Sequence, residues 1–191
     1  MTPATLKILR DEHGALSAVL RSMSMLVADA RRRNATPDFH ALRAMLFYVD
    51  EFPEKLHHTK ESSLLFPLLR QRTQEAAPVL DKLDRDHAQG EHAIRELEHL
   101  LIGWEMLGEP RRTAFEQALE RYVNFYLSHM RVEETEILPL AERALTEDDW
   151  RTLDAAFSQH RDALTGREPD AAFRGLFRTI VNTTPAPIGL A

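Results

Sequence analysis

Three pairs of histidine and glutamate are the residues of this sequence best suited to chemistry. The members of each pair are four positions apart, so on a helix both side chains project from one face. The pairs are His57 with Glu61, His87 with Glu91, and His129 with Glu133. Imidazole nitrogens and carboxylate oxygens at this spacing form ion pairs, or they bind a metal ion such as iron, manganese or zinc.

An internal repeat relates two of these pairs. Residues 57–67 and 129–139 align so that histidine, glutamate and proline occupy equivalent positions. In nearly the same register His13 lies opposite His87, and both follow an acidic residue. The repeat predicts two copies of one helical hairpin.

Turn signals separate the helices that must position these residues. Apolar residues recur at i, i+3, i+4 and i+7 in four long intervals, and an acidic first turn follows Thr146. The predicted helices are 3–33, 38–71, 76–107, 111–144 and 147–164, with a short sixth helix from Pro169. Long helices joined by short turns pack as antiparallel bundles. We expect an all-α, up-down four-helix bundle over residues 1–145 and a C-terminal helical extension, residues 146–191, packed on it.

The four histidines are expected to lie at one level of that bundle. His13 and His57 are centred on the first predicted turn, and His87 and His129 on the third. Buried carboxylates without partners cost several kcal/mol each, so such a layer contains ion pairs or metal. An ion pair is the simpler interpretation of any single pair. Three pairs and a fourth histidine on apolar faces favour a site for two metal ions.

The other histidines are expected outside this layer. His58 follows His57 by about 100° around an α-helix, which predicts a surface or rim position. The remaining four are assigned to polar positions or to the fifth helix: His40, His92, His99 and His160.

Composition argues against other kinds of site. The 191 residues include no cysteine, which removes thiolate nucleophiles, iron–sulfur clusters and cysteine-ligated zinc. The net charge is −6 and the one dense basic run is 31–33, a poor match to nucleic acid or anionic lipid. No apolar stretch approaches the roughly 20 residues of a membrane span, and no signal-peptide pattern is visible. We expect a cytoplasmic protein with no nucleic-acid or membrane partner.

Together, these residues resemble the hemerythrin-like, HHE cation-binding family. The motifs that carry the resemblance are Asp11-Glu12-His13, His57-His58-Thr59-Lys60-Glu61 before Phe66-Pro67, Asp86-His87, and His129 to Glu134 before Leu138-Pro139. They cover about residues 5–145. The resemblance implies a four-helix bundle around a non-haem di-iron centre with an oxo or hydroxo bridge. It also implies bridging carboxylates from Glu61 and Glu133 and terminal ligands from His13, His57, His87 and His129.

One position departs from the family's oxygen carriers, which place a histidine where this chain has Glu91. We expect Glu91 to be a further candidate ligand, and a third carboxylate would favour the ferric state over reversible oxygen storage. Gly90 and Ser17 are expected to leave room for a diatomic ligand. Tyr122 and Tyr126 are either core aromatics or hydrogen-bond donors to a bound oxygen species.

Three classes of function fit this pattern. We favour a di-iron protein that binds or senses a small oxidant or diatomic ligand: oxygen, nitric oxide or peroxide. The second class is a di-iron enzyme that handles peroxide or nitric oxide, or supplies iron for iron–sulfur repair. The third is a metal-free helical interaction module.

Overall fold

Helices form all the regular structure in the part of the chain that the computed structural model describes, residues 3–159, 162–165 and 173–183. The six helices are α1 (Ala4–Arg32), α2 (residues 39–72), α3 (Ala77–Leu107), α4 (residues 112–144), α5 (Glu147–Gln159) and α6 (Arg174–Thr183). Short 3₁₀ turns, Glu109–Arg111 and Ala163–Thr165, precede α4 and follow α5. His160 and Pro169, the expected start of the sixth helix, lie outside the described residues.

Local sequence explains where these helices begin and end. The carboxylate of Asp38 accepts the Ala41 backbone N–H at 2.9 Å and caps α2. Thr146 and Asp149 form a reciprocal capping box at the start of α5, where the sequence has an acidic first turn after Thr146. Gly108, after α3, has a φ of 77°, a conformation that costs glycine little.

The four long helices pack in a ring. α1 contacts α2 and α4, while α3 contacts α2 and α4. α5 packs on α1, and α6 packs on the first part of α2. These contacts confirm an all-α helical bundle. The up-down order and the boundary at residue 145 stay predictions.

Two apolar clusters fill the bundle at different levels. One contains residues 16–27 of α1 with Phe115 and Trp104, and the other contains residues 6–9 of α1 with Leu69 and Leu138. His13, on α1, falls between the two clusters. A polar layer therefore crosses the core where the sequence places its histidines, and apolar packing above and below excludes water from it.

Three π-helical segments widen α2 and α4 close to prolines. They are Asp50–His57 and Glu61–Leu65 in α2, and Glu133–Ile137 in α4. Pro53 lies inside the first segment, and Pro67 and Pro139 each follow a segment by two residues. Proline has no N–H and clashes with the carbonyl four residues earlier, a conflict that a wider turn relieves. The second and third segments occupy equivalent positions in the predicted repeat.

None of the described helices combines the length and apolar character that crossing a membrane requires.

Candidate metal centre

Six of the seven predicted site residues meet in the polar layer. The Nε2 atoms of His13 and His57 lie 3.2 Å apart, and those of His87 and His129 lie 3.1 Å apart. Each of the four long helices contributes one of these histidines. All four rings are buried.

Two glutamates lie between the histidine pairs. The Oε2 atom of Glu61 is 3.4 Å from Nε2 of His57 and 3.5 Å from Nε2 of His87. The carboxylate of Glu133 is 3.3 Å from Nε2 of His13 and 3.2 Å from Nε2 of His129. Each carboxylate therefore faces nitrogen atoms from both pairs, as a carboxylate that bridges two ions must.

The donor atoms of this layer are better placed to bind metal ions than to form hydrogen bonds with one another. All four oxygens of Glu61 and Glu133 are buried, and none has a hydrogen-bond partner in the described part of the chain. Unsatisfied buried carboxylates are costly. One set of closely spaced donor atoms comes from His13, His57 and Glu61, and a second comes from His58, Glu61, His87 and His129. Glu61 belongs to both sets, so the layer suits two ions that share a carboxylate.

Hydrogen bonds from neighbouring helices orient the four rings. Each Nδ1 has a partner on a neighbouring helix: His57 with Glu12 at 2.8 Å, His87 with Ser62 at 2.9 Å, His129 with Asp86 at 3.4 Å, and His13 with Glu134 at 3.1 Å. Carboxylates can only accept, so Nδ1–H donates to them and Nε2 is the nitrogen that faces the centre. These contacts form a closed ring around the bundle, because each helix holds the histidine of the next.

The repeat places these outer partners at equivalent positions. Glu12 and Asp86 each precede a site histidine, and Ser62 and Glu134 each follow a site glutamate. Sequence reasoning missed their role, although the acidic residues before His13 and His87 were a visible signal.

Neighbouring carboxylates favour the protonated form of two of these histidines. Burial lowers the pKa of His13, but Glu133 and Glu134 outweigh it and raise that pKa to about 9. Burial also lowers the pKa of His57, but Glu61 and Glu12 outweigh it and raise that pKa. Metal binding must therefore displace protons from these rings.

Glu91 does not belong to this layer, and the prediction that it faces inward is wrong. Its side chain is 52% exposed and accepts a hydrogen bond from Arg95. The space beside His87 is instead occupied by His58, whose ring stacks on His87 with centroids 4.3 Å apart.

The surface or rim position predicted for His58 is also wrong. The residue is 3% exposed, and Nδ1 lies 3.0 Å from Oε2 of Glu54. The helix is π-helical through His57, so adjacent side chains are separated by less than the angle of an α-helix. Burial, together with the neighbouring His87, holds the pKa of His58 well below its usual range. Pro53, inside a helical pattern, was the sequence signal for this widened turn.

Gly90 does not leave the expected space for a ligand. A Cβ at this position would lie 1.6 Å from the hydroxyl of Tyr126. That hydroxyl donates to Oε1 of Glu54 at 2.5 Å, and the hydroxyl of Tyr122 donates to the same atom at 2.8 Å. Both tyrosines thus bind a carboxylate next to the centre. Ser17, the other expected opening, lies beside Met130, with 3.9 Å between Oγ and Sδ.

A narrow recess reaches the centre from another side. It contains about 10 Å³ of free space, roughly the volume that one water occupies. The residues that line it include His13 and His57, the apolar Leu16 and Phe52, and Asp162. The backbone N–H of Asp162 donates to Glu12 at 3.3 Å, so the segment after α5 adjoins the hydrogen-bond partner of His57.

Comparison with family models matches residues 4–141 to one described as the hemerythrin HHE cation binding domain. No curated protein and no solved structure gives a significant match.

Proposed function

We propose that this chain, which belongs to the hemerythrin HHE cation-binding family, is a non-haem di-iron protein that binds or senses a small oxidant or diatomic ligand. Oxygen, nitric oxide and peroxide are the ligands in question. The observation that carries the proposal is the pair of buried carboxylates, Glu61 and Glu133, whose oxygens have no hydrogen-bond partner among the described residues and face histidine nitrogens.

The ligands divide between two ions. His13 and His57 would hold one ion, His87 and His129 would hold the other, and Glu61 and Glu133 would bridge them. Nitrogen and oxygen donors suit iron, manganese and zinc, so the choice among these metals depends on supply as well as affinity. When bound, iron supplies reversible one-electron chemistry that no side chain of the centre has.

The recess beside His13 and His57 supports a small ligand. Its free space is about that of a single water, so only the smallest molecules fit, and Leu16 and Phe52 make part of its wall apolar. Against this apolar part a charged molecule would lose more hydration than an uncharged one, although Glu12, Lys60 and Asp162 also line the recess. Peroxide, nitric oxide and oxygen all meet both conditions.

Metal analysis of protein produced in iron-supplemented medium tests the proposal. We expect about two iron ions per chain, and His129→Ala should reduce this number. His92→Ala is the matched control, because His92 is exposed on α3. Less than about half an equivalent of iron, unchanged by His129→Ala, would refute the metal site.

Optical spectra then test the small ligand. The spectrum of the reduced iron protein should change on addition of oxygen or nitric oxide. Whether or not this change reverses, the ligand should not be consumed catalytically. Sustained consumption of peroxide or nitric oxide would instead identify an enzyme. A spectrum that none of the three ligands alters would contradict the proposed ligand class.

A further inference from the structure

We propose that His58 is a fifth histidine ligand of the centre, on the side of His87 and His129, and that Glu54 positions it. This inference rests on the proposed di-metal function and extends it to a residue outside the expected ligand set.

Distances place His58 among the donors of one ion. His58, Glu61, His87 and His129 each offer a ligand atom, and these four atoms all lie within 4.8 Å of one another. Ligands about 2.0–2.2 Å from a common ion are at most about 4.4 Å apart. Small side-chain shifts would therefore bring the four atoms into one coordination sphere.

The surroundings of His58 match those of the other site histidines. Its Nδ1 lies 3.0 Å from the carboxylate of Glu54, which can only accept, so Nε2 carries the lone pair. A carboxylate on the second nitrogen is the usual support of a metal-bound imidazole. Glu54 is itself fixed by hydrogen bonds from Tyr122 and Tyr126.

The backbone provides the space that this arrangement needs. The π-helical turn through His57 brings His58 into the core. Gly90, on the neighbouring helix, admits the hydroxyl of Tyr126, which any Cβ would displace. Thus the widened turn places the ring of His58, and Gly90 leaves space for the Tyr126 hydroxyl that holds Glu54.

The two ions would then be unequal. One ion would receive nitrogen from His13 and His57, and the other from His58, His87 and His129. The recess adjoins the histidines of the first set. The ion with fewer protein ligands is therefore the one that a small molecule reaches.

Nitrogen NMR of histidine side chains separates this role from simple packing, since His58 also stacks between His87 and Tyr126. The probe is Zn²⁺, which is diamagnetic, added to metal-free protein labelled with ¹⁵N-histidine. We expect five Nε2 resonances to move to the position typical of metal-bound imidazole, and His58→Phe should remove one of them. His99→Phe, at an exposed site of α3, is the matched control.

The spectrum of the unsubstituted protein decides the question even if His58→Phe fails to fold. Four zinc-bound Nε2 resonances, with that of His58 unmoved, would overturn this inference and leave the proposed function intact. No zinc-bound resonance at all would refute both.

A second variant tests the positioning role of Glu54. Glu54→Gln retains an acceptor but removes its charge, and we expect zinc affinity at one of the two ions to fall about tenfold or more, with the His58 resonance still in the metal-bound position. Glu91→Gln, at the surface of α3, should leave both affinities unchanged. Equal affinities in Glu54→Gln and the parent would overturn the positioning role.

Discussion

Gly90 lies in close contact with Tyr126 of the neighbouring helix, next to the centre, so Gly90→Ala should disturb the centre strongly. A Cβ would lie 1.6 Å from Oη of Tyr126, 2.6 Å from its Cζ and 3.0 Å from Oε1 of Glu54. At Gly103, in the same helix, a Cβ would meet no described atom within 4 Å. The two glycines therefore form a matched pair.

The magnitude follows from what must move. The hydroxyl of Tyr126 must retreat by roughly 2 Å to reach ordinary van der Waals distance, which breaks its bond to Glu54. Loss of a hydrogen bond to a charged group costs about 1.5–3 kcal/mol. Overpacking adds about 1–3 kcal/mol. Replacing glycine by alanine in a helix returns about 1 kcal/mol. We expect Gly90→Ala to lower the free energy of unfolding by about 1.5–5 kcal/mol.

Urea denaturation of the metal-free protein measures this difference. Gly103→Ala should stabilise the fold slightly, by about 0.5–1 kcal/mol. Tyr126→Phe removes the atom of the worst overlap, so adding it to Gly90→Ala should recover at least about 1 kcal/mol relative to additivity. If Gly90→Ala and Gly103→Ala have equal free energies of unfolding, the close contact between position 90 and the Tyr126 hydroxyl is refuted.

Three other perturbations test separate parts of the structure. Burial raises the pKa of the Asp162 carboxyl to about 6. The protonated carboxyl therefore stabilises the fold at pH values below the ordinary pKa of aspartate, and this contribution is lost as the pH rises through about 6. Urea denaturation at a series of pH values should show that the free energy of unfolding of Asp162→Asn rises by about 2–3 kcal/mol relative to that of the parent between pH 4 and 7. Free energies of unfolding that change with pH in parallel in the two proteins would contradict this. The Arg72 guanidinium holds the pKa of Asp149 well below its usual range, so that carboxylate stabilises the fold above about pH 4 and loses its contribution at lower pH. Asp149→Asn should therefore cost about 1–2 kcal/mol at pH 7 in urea denaturation, and a deficit that persisted unchanged at pH 2 would count against the argument. Glu91→His should leave the iron content and reduction potential of the loaded protein unchanged, because Glu91 is exposed beside Arg95; a shifted potential would show that position 91 reaches the centre.

Much of the fold and most of the centre could be predicted because the relevant signals are periodic. Apolar periodicity and turn residues located the long helices within one or two residues. The repeat fixed the equivalence of His57 with His129 and of Glu61 with Glu133. The apolar periodicity and the internal repeat each depend on many positions, so an error at a single position does not change the prediction.

The errors arose where one local departure from α-helical geometry changes which side chains face the core. The angular argument for His58 assumed an α-helix, whereas α2 is π-helical through His57. Spacing alone placed Glu91 on the inner face, but His58 occupies the space beside His87. Neither outcome follows from spacing, because both depend on how neighbouring helices compete for one volume.

The positions of Glu91 and His58 change the charge that the protein brings to its metal ions. The expected preference for the ferric pair depended on a third carboxylate, and the layer contains two, Glu61 and Glu133. A fifth imidazole would add a ligand without adding charge. Ligand charge therefore gives no reason to disfavour reversible binding of oxygen. The hydrogen-bond partners of the Nδ1 atoms then have more influence, because a carboxylate there would make imidazole a stronger donor and stabilise an oxidised metal ion. Ser62 stands where the other half of the repeat has Glu134, so the ring of His87 receives less of this support than the ring of His13.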